Sequence, residues 1–213
     1  MKSLSSLKTA GCLAVLPLVL AGCTPDKTQT LLQPPQALGT VLAEETIRVA
    51  GATKQVVVIT PDPSWGPPSA VEAAFRAALK KQGFSVSATK AASLGDPMRG
   101  RLGLKAADFW DAMDKSGSAG AVVSLVGAPL LAPGEVGKLG GPGHPPVLVV
   151  STIMLGTVPG VVSDPQQLAS LFGAKAIRVA IVDGADAAAP KGGKTDATHE
   201  LFAQNYHILR QPD

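Results

Sequence analysis

The sequence predicts a single α/β domain of three layers, with a mostly parallel, doubly wound sheet of about five to six strands. Three observations carry this expectation. Short β-branched runs, of which Val56-Val57-Val58-Ile59-Thr60 is the clearest, recur along the chain without the apolar–polar alternation of a half-exposed strand. Stretches with apolar residues three and four apart lie between them, so strand and helix signals alternate. Charged residues make up only 16% of the 213 while 46% are hydrophobic, which suits a sheet covered on both faces and excludes a chain disordered over most of its length. No internal repeat is visible.

The elements follow in order. Leu38, Val41, Leu42, Ile47 and Val49 fall at near-helical spacing with Glu44 and Glu45 off the stripe, predicting an entry helix that Gly51 closes. The first strand is the run ending at Thr60. Ser69-Ala70-Val71-Glu72 matches a capping box, and Val71, Phe75, Ala78 and Leu79 make the apolar stripe of the helix it opens. Lys80 and Lys81 suit that helix's negative end, and Gly83 stops it. Phe84 to Ala88 alternates as a strand, Lys105 to Lys115 reads as a helix, and Ala121 to Val126 as a buried strand. Val147 to Leu155 is apolar, too short for a membrane span and too β-branched for a preferred helix, so it is expected to be a central strand. Pro165 to Phe172 is a short helix, Ile177 to Val182 a fifth strand, and Thr195 to Tyr206 a last helix followed by His207-Ile208-Leu209. The glycine-rich stretch Pro129 to Pro146 reads as a mobile flap or an excursion between strands.

The first residues carry a different signal. Lys2 and Lys8 precede the apolar stretch Cys12 to Leu20, which Pro17 interrupts and which is too short to span a bilayer. It ends in Leu20-Ala21-Gly22-Cys23, which resembles the lipobox of bacterial lipoproteins. The resemblance implies that residues 1–22 are a signal peptide and that Cys23 is acylated, fixing the chain to a membrane by fatty-acyl groups such as palmitate. Thr24 rather than Asp after the cysteine resembles an outer-membrane address in Gram-negative lipoproteins, facing the periplasm. Polar, proline-rich residues 24–36 read as a flexible tether, leaving 37–210 for the domain. The only other cysteine, Cys12, lies in the signal segment, so the mature domain is expected to hold neither a disulfide nor a cysteine metal site. Without Lys2 and Lys8 the chain has 17 basic against 16 acidic residues, which argues against a nucleic-acid binder.

Past the tether, the order of features resembles one lobe of the type 1 periplasmic (sugar) binding proteins, a Rossmann-like arrangement. The resemblance rests on Leu38 to Ala43 with Lys54 to Thr60, on the helix of Phe75, Ala78 and Leu79 turning through Gly83 into Phe84-Ser85-Val86, and on Ala119 to Val123. Pro146 to Val150 and Ile177 to Gly184 continue it. It implies an envelope location and a non-catalytic, solute-binding role. Those proteins close two lobes on a solute, and this sequence has material for about one. A partner protein or a homodimer is therefore expected to complete any cleft.

Open parallel sheets place ligands beyond the carboxyl ends of their strands. The candidate ligand- or partner-binding residues there are Thr60, Asp62, Ser64 and Trp65 after the first strand, Ser151 and Thr152 at the long one, and Asp183 after the fifth. Trp65 either stacks on a sugar or plugs a partner's pocket, or else folds back to seal its proline-rich loop. Catalytic signals are thin. Ala188 to Thr195 meets a permissive nucleotide-loop pattern but starts too far past its strand, and a Gly/Lys-rich loop is the simpler reading. His199 and His207 lack the spacing that puts two metal ligands on one helix face, and His144 sits between turn residues. Asp108, Asp111 and Asp114 share a helix face, which reads as a solvated surface before a cation site. No cofactor and no metal are expected. The expected function is that of a non-catalytic envelope lipoprotein binding a small solute or a partner protein. The alternative is a structural or assembly lipoprotein using the domain as a scaffold, with an envelope hydrolase third.

Overall fold

Val56 to Ile59 are wholly excluded from solvent, as a strand covered on both faces must be. In the computed structural model of the protein, residues 27–94, 102–139, 143–184 and 196–211 are described. The chain runs through α1 (Lys27–Ala50), β1 (Gln55–Pro61), a 3-10 turn (Pro63–Trp65), α2 (Ala70–Lys81), β2 (Ser85–Ala92), β3 (Leu104–Lys105), α3 (Ala106–Asp114) and β4 (Ala121–Ser124). It continues with β5 (Pro129–Leu130), α4 (Pro133–Leu139), β6 (Val147–Ser151), α5 (Pro165–Gly173), β7 (Val179–Asp183), α6 (Ala197–Asn205) and β8 (Tyr206–Arg210).

Six strands form one sheet in the order β2-β1-β4-β6-β7-β8, and β3 and β5 pair separately. Every neighbour in the large sheet is parallel except β8, which runs antiparallel to β7. The sheet is thus the mixed, mostly parallel α/β sheet that the alternation of signals predicts. Two apolar cores cover its faces. Val56, Val58, Val123 and Leu148 meet Leu38 and Leu42 of α1, Phe75 of α2 and Phe202 of α6 on one side. On the other, Val57, Ile59, Val122 and Val149 meet Phe109 of α3 and Leu168 and Leu171 of α5. The capping box is half realised: the Glu72 amide donates to Ser69 Oγ at 3.1 Å, while the Glu72 carboxylate accepts from Arg76 Nε at 2.8 Å.

Two local expectations are corrected and two further segments gain a definite form. Residues 27–36 are not a loose tether but the first turns of α1, with Pro34 and Pro35 inside the helix. Pro35 and Ala37 are buried, so packing on the domain outweighs the amide donors that the prolines remove. The long apolar run stops being strand at Ser151, where Thr152 turns out of the ladder. Of the two readings of 129–146, a mobile flap or an excursion between strands, the excursion fits: through residue 139 it forms β5 and α4. Gln167 Nε2 donates to the Pro129 carbonyl at 2.6 Å, and Trp110 Nε1 to Glu135 Oε1 at 3.2 Å. His207-Ile208-Leu209 is the antiparallel edge strand β8, pairing residue for residue with Val182, Ile181 and Ala180. The nucleotide-loop-like Ala188 to Thr195 and the lipobox lie outside the described residues.

Candidate functional site at the carboxyl edge of the sheet

The chain leaves β1 toward β2 on one side and β4 toward β6 on the other, so the switch of direction, where such sheets place ligands, lies between β1 and β4. Here the chain fills that crevice itself. Residues 125–129, just past β4, are all buried. The Leu125 amide donates to the Ile59 carbonyl at 2.9 Å and the Gly127 amide to the Val150 carbonyl at 3.0 Å, prolonging the ladder past the strand ends. Gly127 has a positive φ of 79°, and a side chain there would meet Val161 Cγ1 at 2.9 Å, so glycine is required for this close approach.

The loop 152–163 caps the neighbouring strand end, and three of the sequence-predicted residues build it. Ser151 is buried, and its hydroxyl accepts from the Ser163 amide at 2.7 Å. Ser163 Oγ in turn accepts from the Ala128 amide at 2.8 Å, tying the loop to the segment after β4. Thr152 is buried, and its hydroxyl donates to the Met154 carbonyl at 3.2 Å. Asp183 is exposed at the end of β7, and its carboxylate accepts from the Ile153 amide at 2.7 Å. These polar groups hold a loop in shape, and of the three only Asp183 reaches solvent.

The residues after β1 serve a second turn. Asp62 caps the 3-10 turn by accepting from the Ser64 amide at 2.8 Å. Bonds from Ser64, through side chain and backbone, hold the Asp62 carboxyl below its ordinary range. Trp65 is the last residue of that turn. Thr60 stands apart, buried at the floor of a small hollow of about 190 Å³ shared with Ser69, Glu72, Thr89 and Val158. The seven candidate residues therefore lie along one edge but do not converge on one pocket.

What the edge does present is apolar. The large hydrophobic side chains left exposed among the described residues are Leu102, Ile153 (65% exposed), Met154 and Val162 (59%). Leu102 and Val162 line one open hollow of about 550 Å³ with Leu130, Gly160 and Gln167. Ile153 and Met154 belong to the same loop, whose Gly160 amide donates to the Ile153 carbonyl at 2.8 Å. Sequence reasoning missed these four, because Ile153 and Met154 read as the continuation of a strand. The available signal was the turn-forming Gly156, Pro159 and Gly160 that follow.

No family model and no curated protein match this chain. Among solved structures it is similar to a carbohydrate transporter solute binding protein from Agrobacterium radiobacter in complex with D-arabinose. The TM-score is 0.41 and the identity 19%, over 74% of this chain and 48% of that one. This chain thus spans about half the length of that protein, and the likeness is one of partial shape.

The remaining candidates resolve into structural pairs. Lys90 on β2 places Nζ 3.0 Å from Asp108 and 2.9 Å from Asp111, so the cation those carboxylates collect is the protein's own ammonium. His199 bridges Asp196 (3.1 Å) and Glu44 (2.8 Å), joining α6 to α1. The His144 ring packs edge-on to Trp110 with centroids 6.4 Å apart. No group of three or more metal-ligating side chains occurs among the described residues. None of the described helices is long and apolar enough to cross a membrane.

Proposed function

We propose that this chain is a non-catalytic binding module of the cell envelope, anchored through acylated Cys23 after loss of residues 1–22, which receives a partner protein on the carboxyl edge of its sheet. The observation that carries this reading is the gathering of Leu102, Ile153, Met154 and Val162 on that edge. A spacer gains nothing from large apolar side chains turned to water, whereas a docking surface needs them. A protein is favoured over a sugar because Ser151 and Thr152 are buried and spent on the loop 152–163, which leaves Asp183 as the exposed polar candidate beside it, and a polyhydroxylated solute binds through several free polar groups. Thr24 after the anchor favours the outer membrane, with the domain in the periplasm.

A second reading, a small solute, draws on the hollow of Thr60, Ser69, Glu72 and Thr89, where polar side chains do line a concavity. At about 190 Å³ it is smaller than ordinary ligand pockets, so this reading requires a second wall from a homodimer or a partner.

Photo-crosslinking in the native envelope tests the main reading. A photoreactive residue at Ile153 or Val162 should give one discrete protein adduct, and one at the exposed Lys80 of α2 should not. The Ile153→Ser/Val162→Ser double variant should fold with an unchanged melting midpoint and lose the adduct probed from Met154. Equal labelling at all positions, together with no melting shift against a panel of mono- and disaccharides, would refute both readings. Anchoring is checked separately by the mass of the mature amino terminus and by release of the Cys23→Ser protein from membranes.

A further inference from the structure

The amino edge of the sheet, opposite the apolar one, holds a hollow of about 500 Å³ with another chemistry. Arg48 near the end of α1, Lys175 just past α5, Arg178 just before β7 and Arg210 at the end of β8 line it, together with His144 and Gln211. No carboxylate lines it among the described residues. Glu45 lies alongside, accepting from Arg48 and from both Nε and Nη2 of Arg210, at 3.1 and 2.8 Å. Burial works against its charge, but those two arginines outweigh it and keep the carboxyl below its ordinary range. Arg178 donates to a neutral acceptor, Gln211 Oε1, at 3.2 Å. Four cations from three segments of the chain, α1, the connection between α5 and β7, and β8, thus converge, with Glu45 the carboxylate beside them among the described residues.

Part of this excess has a simpler cause, since the carboxyl ends of α1 and α5 carry partial negative charge and attract cations. That accounts for the sign of Arg48 and Lys175, but Arg178 and Arg210 belong to a strand approach and a strand. Lys175 also has a φ of 58° and is the one non-glycine with positive φ among the described residues. This is the position after a helix where glycine is usual, and a lysine there keeps a charge at a backbone site that disfavours it.

We propose that this hollow binds a phosphate-type anion, either the phosphate ester of a soluble molecule or the phosphodiester of a lipid headgroup. Guanidinium groups present paired N–H donors that match two phosphate oxygens, and Lys175 adds a mobile point charge at the rim. This proposal is independent of what docks on the opposite edge.

Inorganic pyrophosphate titrated into the full chain at low ionic strength, followed by calorimetry, tests the shared chemistry. Saturable binding is expected, weakening steeply as salt is raised. The Lys175→Gly/Arg178→Gln double variant should lose about tenfold in affinity or more. Lys175→Gly relieves the backbone, so the single variant should melt no lower than the parent and shows that the fold survives. Sedimentation with phosphatidylcholine vesicles, with and without one-third phosphatidylglycerol, separates the sources. Extra retention on anionic vesicles that the double variant abolishes points to a headgroup, and pyrophosphate saturation without it points to a soluble ester. Absence of both, or binding unchanged in the folded double variant, overturns the proposal.

Discussion

Tyr206 is the only tyrosine of the chain, which makes its ionisation directly readable. Burial pushes its phenol up to about 12, with the Asp183 carboxylate adding to the shift. The unfolded phenol ionises near 10, so the native state holds its proton longer and stability falls as pH rises from about 10 toward 12. Ultraviolet absorbance should show one phenolate transition near 12 in native protein, moving to about 10 in denaturant; a native transition at 10 would contradict the burial. His199 gives a second pH dependence. Burial lowers its pKa, but hydrogen bonds to Asp196 and Glu44 outweigh that and leave it raised. Its contribution is therefore full below about pH 6.5 and lost as pH rises through the higher folded value. The bridge is more than one-third exposed, so it is worth only a few tenths of a kcal/mol. The stability gap between parent and His199→Gln should be measurable at pH 5.5 and close by pH 8.5, and a gap that persists at high pH would assign it to packing. Ser151→Ala leaves the buried Ser163 amide without its acceptor and should cost about 1–3 kcal/mol in denaturant unfolding.

Between elements, close approaches decide more than any single bond. Gly39 of α1 lies directly against the Val71 carbonyl of α2, and an added methyl would also stand 2.8 Å from Ala74 Cβ. Gly39→Ala must push the two helices apart and is expected to destabilise the domain by roughly 1–3 kcal/mol, read as a lower melting midpoint. Gly160→Ala meets the Thr152 carbonyl in the same way, inside the loop 152–163. It should increase amide exchange from Ile153 to Ser163 while leaving that of β1 unchanged. Element types were legible wherever burial or capping governs them. The run at Val56–Ile59 announced β1 because both faces are covered, and Ser69 with Glu72 marked the start of α2. Where tertiary packing overrides local preference, the sequence misled. Pro34 and Pro35 read as tether although α1 passes through them, and Ile153 and Met154 read as strand although the ladder ends at Ser151.

For the molecule as a whole, the mostly parallel sheet was legible in kind, since alternating strand and helix signals imply it, while the strand order was not. The candidate edge was legible as an edge but not as a site. Which hydroxyls face outward depends on loop hydrogen bonds such as Ser163 to Ser151, made across 12 residues of sequence. The basic hollow was invisible in a chain of nearly balanced charge, because Arg48, Lys175, Arg178 and Arg210 meet only through the fold. The early start of α1 bears on how the domain stands. Pro35 packs beside Gly156 and Ala70 at the carboxyl edge, so the turns before it rise past that edge. Only three residues separate Cys23 from Lys27, a reach of at most about 14 Å. On the proposed acylated chain, the lipid would therefore lie within that reach of α1. Such an anchor would hold the apolar edge on the membrane side, where a partner would have to be membrane-bound or slender. The arginine-lined end would then point outward, most of the 24-residue helix (about 36 Å) farther away. On both proposals, an anion captured there would arrive from the side away from the anchor, which would give the two ends of the domain different neighbours.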